Sequence, residues 1–126
     1  MNKPYDIGER ALEFAVRTAS FVRCMPADMV SYEYGRQLIR SSSSIGANVN
    51  EADGTLTKKD FVCKLSISRR EARESRYWLR LILKTGLVPG RSEEITVLIK
   101  EAGELTLILS SIINKTMGKL QMTKSK

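Results

Sequence analysis

Residues 69 to 84 read RREARESRYWLRLILK, and the basic residues are spaced as if to share one side of a helix. Arg69, Arg73, Arg76, Arg80 and Lys84 follow one another at intervals of four, three, four and four. A line of this kind can neutralise phosphates through forked guanidinium contacts, and arginine suits that task better than lysine. The same residues have two other uses: pairing with acids on neighbouring helices, such as Glu13, Glu101 or Glu104, or plain solvation. Arg70 lies off the line, within one helical turn of Glu74. Glu71 and Glu74 are the only acids inside this stretch, and either can accept from Arg36 or Arg40 across a bundle as part of a buried network. Tyr77 and Trp78 interrupt the basic line; they either stack on bases or serve core and interface.

Much other chemistry is excluded. The chain has no histidine, which removes the commonest general base and metal ligand together. Neither phosphate-loop pattern, G-x-x-x-x-G-K-[ST] or G-x-G-x-x-G, occurs. A dimetal carboxylate site in a bundle needs Glu-x-x-His pairs, which cannot exist here. No catalytic residue, metal or cofactor is therefore assigned. The two cysteines, Cys24 and Cys63, are far apart and read as buried free thiols.

The net charge of +7 favours nucleic acid, an anionic surface or an acidic protein as partner. That charge is uneven. Residues 58 to 84 hold nine Lys/Arg against three Asp/Glu, and residues 115 to 126 hold four lysines and no acid. Lys115 and Lys119 join the candidate nucleic-acid contacts on that ground. With a mean hydropathy of −0.22 no stretch is apolar enough to span a membrane, and the N-terminus lacks a secretory pattern, so a cytoplasmic protein is expected.

The elements that must position these residues are helices. Ile7, Ala11, Phe14, Thr18, Phe21 and Met25 make one stripe; Phe61, Leu65, Ser68, Ala72, Ser75, Leu79 and Ile82 another; Ile95, Leu98, Ala102, Leu105, Leu109 and Ile112 a third. All alternate steps of three and four, the seam of a helix packed at a shallow angle. Asp28, Thr57 and Ser92 are suited to cap helix starts, and Gly86 with Pro89 ends the third helix. No segment alternates with period two. Short connections imply an all-α, antiparallel up-down-up-down four-helix bundle. One domain over 1–118 is expected, followed by a basic, flexible tail over 119–126.

The segment SSSSIGANVNEADGT, residues 41 to 55, has the composition of a linker but the spacing of a helix. Leu38, Ser42, Ile45, Val49 and Ala52 continue a seam begun at Val30 and Tyr34. The neighbouring line of Gln37, Ser41, Ser44, Asn48 and Glu51 is wholly polar. Gly46 costs such a helix about 1 kcal/mol against alanine. Small residues allow close backbone approach, so this second stripe reads either as a contact with another subunit or as a solvated face. Arg36, Arg40, Ser44, Asn48, Glu51, Glu71 and Glu74 are accordingly candidates for a subunit interface or buried polar network.

From residue 36 to 90 the sequence resembles a family of small four-helix-bundle proteins first noted as reading frames in intervening sequences of bacterial large-subunit ribosomal RNA genes. The accessory variability protein (Avd) of diversity-generating retroelements is similar. The resemblance is carried by Arg40-Ser41, Ser44-Ile45, Asn48, Glu51-Ala52, Lys59, Phe61, Leu65, Glu71-Ala72, Glu74, Tyr77-Trp78-Leu79 and Gly86-Leu87. It implies a ring-like homopentamer with a basic surface and, for Avd-like members, nucleic-acid association and contact with a reverse transcriptase. The sequence thus supports a non-catalytic oligomer that binds RNA or DNA electrostatically. The alternative is a protein-interaction scaffold or accessory subunit, for example of a reverse transcriptase.

Overall fold

A computed structural model describes residues 6–125, with side chains as far as Gln121. Four helices make up nearly all of it: α1 (Ile7–Val22), α2 (Met29–Asp53), α3 (Lys58–Thr85) and α4 (Ser92–Ser125). Among the described residues there is no strand.

Each helix starts where a side chain or carbonyl can take up its free N–H groups. The carboxylates of Asp6 and Asp28 accept from the N–H of Glu9 (3.1 Å) and Ser31 (2.8 Å), and the Thr57 hydroxyl accepts from Asp60 N–H (3.1 Å). The start of α4 lies one position earlier than expected. Ser92 is already helical, and the Arg91 carbonyl accepts from Ile95 N–H. Gly86, at φ 67°, closes α3 in the left-handed conformation that only glycine adopts cheaply.

The stripes converge on one core. Phe14 and Phe21 of α1, Leu38 and Ile45 of α2, Leu65, Leu79 and Ile82 of α3, and Ile95, Leu98, Leu105 and Leu109 of α4 are all removed from solvent. Helix α3 packs extensively on both α2 and α4, while α1 touches α2 and, less extensively, α4. A forked ion pair tightens the α1/α4 seam: Arg10 donates from Nε to Glu101 Oε2 (3.1 Å) and from Nη2 to Oε1 (2.6 Å).

The serine-rich segment is helical as far as Asp53, with Gly54 as its C-cap, and part of its small face turns inward. Ser75 of α3 donates to Ser41 Oγ at 2.9 Å, and Ser68 donates to the Ile45 carbonyl at 2.8 Å. With Ser42 and Ala72 also buried, α2 and α3 meet across small side chains rather than interlocking large ones. Gly46 does the same against α1: a Cβ there would lie 3.4 Å from Ala11 Cβ.

Several expectations need correction. Val30 is 43% exposed, and the α2 seam instead begins at Ser31 and Gly35, one position along the helix. The α4 seam ends on the buried Ile113, with Ile112 only partly covered. Both cysteines are exposed, Cys24 in the turn after α1 and Cys63 off the α3 seam. Of the tail expected over 119–126, residues 119–125 belong to α4, which runs to Ser125, and the last residue lies outside the described residues.

Candidate nucleic-acid interface

Two faces of α3 carry its charged residues, and they face different neighbours. Toward α2, Glu71, Glu74 and Trp78 recur at helical spacing, and the two carboxylates meet Arg40. One guanidinium serves both carboxylates: Nη1 lies 3.4 and 3.3 Å from the Glu71 oxygens, and Nη2 donates to Glu74 Oε2. Trp78 Nε1 donates to that same Glu74 oxygen at 3.0 Å, and the indole rests against the Tyr34 ring, centroids 5.8 Å apart. Glu71 is only 7% exposed, so its charge is tolerable because Arg40 reaches it. Burial pushes the Glu74 carboxyl up, but the Trp78 N–H, Arg40 and nearby Arg70 outweigh it and hold the carboxyl below its ordinary value.

The other members of the expected network do not join. Arg36 pairs with Glu33 of its own helix at 3.0 Å, where a one-turn ion pair is closer than any acid of α3. Asn48 donates to the Ser44 carbonyl at 2.8 Å, again within α2, and Glu51 is exposed. In the serine tract the buried polar side chains are Ser41, on the same line, and Ser42, on the seam beside it.

Toward α4, the arginine line opens into a groove of about 610 Å³. Arg73, Arg76 and Arg80 line one wall with Tyr77; Lys100, Glu104, Thr106 and Leu107 line the other, with Ile99 and Gly103. Because Gly103 has no side chain, the Arg76 stem passes close by, its Nε 3.9 Å from where a Cβ would stand. Of the three acids foreseen as partners of these arginines, Glu13 is exposed on α1 and the other two face Arg10. Glu101 is held by Arg10, and Glu104 lies 4.0 Å from the same guanidinium. Among the described residues, no carboxylate comes within ion-pairing distance of Arg73, Arg76, Arg80 or Lys84.

The ends of the proposed line behave differently from its middle. Arg69 turns inward and donates to Ser110 Oγ at 3.3 Å. Lys84 is exposed in the last turn of α3, where a cation complements the helix dipole. Lys115 and Lys119 are exposed on α4, eight and twelve residues beyond Leu107, and therefore about 12 and 18 Å further along the helix axis. Sequence reasoning missed Lys100. Its position on α4 is that of any outward residue, and only the packing of α4 on α3 brings it to the arginines.

A sequence model of the 23S rRNA-intervening sequence protein family matches residues 3–111. The chain belongs to this family. A solved structure from Bacteroides thetaiotaomicron, described as a protein with unknown function from the S23 ribosomal protein family, is similar at 33% identity and a TM-score of 0.77. The similarity covers 85% of this chain and 97% of that one. No curated protein matches the chain. Among the described residues of this family member, no three side chains of metal-ligating type converge, and no helix is long and apolar enough to cross a membrane.

Proposed function

We propose that the protein is a non-catalytic, oligomeric four-helix bundle that binds RNA or DNA electrostatically through the α3/α4 groove. The observation that carries this reading is the set Arg73, Arg76, Arg80 and Lys100, gathered along one groove with a single carboxylate, that of Glu104. Guanidinium groups left without internal acids are available to phosphate, and bidentate contacts give them grip. Lys84, Lys115 and Lys119 extend the field without lining the groove.

An antiparallel up-down-up-down arrangement is supported by the pairing of Ser41 with Ser75 and Ile45 with Ser68, and of Arg69 with Ser110 and Arg76 with Gly103. The second copy of the chain is assigned to a different surface, the α1/α2 groove. Leu12 is 57% exposed there and lines it with Ala15, Ser43, Gly46 and Ala47, while Asp6, Glu9 and Asp53 at its rim would repel phosphate. An assembly that uses this side leaves the arginine groove open.

The test is a paired charge reversal. Arg73→Glu with Arg76→Glu should abolish most binding to a labelled oligonucleotide, by fluorescence anisotropy. Lys58→Glu with Lys59→Glu makes the same change in net charge at the start of α3, where acids favour the helix, and should leave most of the affinity. Equal losses from both pairs would place the effect in overall charge and contradict a localised site. Unchanged affinity in the first pair would end the proposal.

A further inference from the structure

Among the described residues, Tyr77 is the one aromatic side chain that lines the arginine groove. It stands between Arg76 and Arg80 in sequence, one turn after Arg73, and 57% of it is exposed. Its neighbour Trp78 is differently placed: half-buried, with its N–H committed to Glu74 and its ring against Tyr34. Trp78 also meets Tyr77 edge to face, centroids 5.3 Å apart and ring planes at 76°. That contact steadies the Tyr77 ring from one side and leaves the ring in the groove. Leu107 on the α4 wall is exposed too, at 70%, so the cationic channel carries apolar surface as well.

Deepening the nucleic-acid reading above, on which it rests, we infer that the groove takes single-stranded nucleic acid, one base stacking on Tyr77 while Arg73, Arg76, Arg80 and Lys100 hold the flanking phosphates. A duplex offers Tyr77 no free base face, because its bases are stacked on one another and only their edges are reached through the grooves. An unpaired base has a free π-face that fits an ordered ring, and such stacking is tolerant of sequence. The dimensions agree. Arg73 to Arg80 spans about 10 Å of helix, room for two or three phosphates of a single strand and well short of the ~34 Å turn of a duplex. Glu104 on the α4 wall lies 4.0 Å from the Arg10 guanidinium, which offsets its charge beside the groove.

Anisotropy titrations at low salt, with a labelled thymidine homopolymer of about twelve nucleotides and a duplex of equal length, test the inference. The wild-type protein should bind the single strand more tightly. Tyr77→Ala should weaken single-strand binding about tenfold and leave duplex binding unchanged, while Tyr77→Phe should keep wild-type affinity because it keeps the ring. The salt dependence should be the same for Tyr77→Ala and wild type, since the ring releases no counterions. Helical circular dichroism and melting temperature report folding of each variant. Single-strand affinity unchanged by Tyr77→Ala, or a duplex bound more tightly than the single strand, overturns the stacking site and leaves the electrostatic reading standing. No binding of either oligonucleotide by the wild type overturns both.

Discussion

The Glu74 carboxylate is where burial, an indole N–H and a guanidinium meet, so it should leave a mark on stability as pH changes. Its folded value lies below the unfolded one, and the stabilisation it brings is present above the unfolded value of about 4.5 and lost as pH falls through the lower folded value. Trp78, the only tryptophan, touches this group and reports on it directly. Its fluorescence should change on acidification in a step that Glu74→Gln removes. The Thr18 hydroxyl makes a second residue-scale case: fully buried in α1, it has no hydrogen-bond partner among the described residues. Thr18→Val should stabilise the fold by about 1 kcal/mol, read as a raised denaturation midpoint, because it removes an unpaid desolvation cost at nearly constant volume. Neither feature was legible in sequence. Threonine at a seam position gives no sign of whether its hydroxyl finds a carbonyl, and Glu71 and Glu74 could be matched to Arg36 or Arg40 equally well until the tilt of α2 on α3 was known.

Helix against helix, the serine face of α2 acts through size more than through hydrogen bonding. Ser75→Ala removes one hydroxyl contact to Ser41 and should cost about 1 kcal/mol. Ser75→Leu forces α3 away from α2 at a fully buried position and should cost about 1–3 kcal/mol, with a correspondingly larger fall in melting temperature. Equal costs for the two substitutions would show that the hydroxyl, and not the spacing, matters. That residues 41 to 53 form a helix was legible, since Leu38, Ser42, Ile45, Val49 and Ala52 keep the step of three and four through a tract of poor helix formers. The start of that seam was misread by one position because Ser31 and Gly35 do not look like core, whereas Val30 and Tyr34 do. Core membership there is decided by the nearness of α1, with Val22 at 3.1 Å from a Cβ built on Gly35, and no residue type announces that.

At the scale of the whole molecule, the helical repeat fixes which side of α3 is basic but not what lies across from it. The groove exists because α4 brings Lys100, Gly103 and Leu107 alongside Arg73, Arg76 and Arg80, a juxtaposition across some thirty residues of chain that spacing within one helix cannot contain. The same limit applies to assembly. Family resemblance implies a pentamer, and light scattering should then give a mass near five chains of 14.2 kDa each; a monomer at working concentration would contradict the assignment of the α1/α2 groove to a second copy. The central claim is that four clustered cations hold nucleic acid by displacing its counterions. A binding titration of the single-stranded oligonucleotide over a range of salt concentrations tests it most directly. The account predicts that log affinity falls linearly with log salt at a slope of about −2, as two or three phosphate contacts on a single strand require. A slope near zero would contradict it.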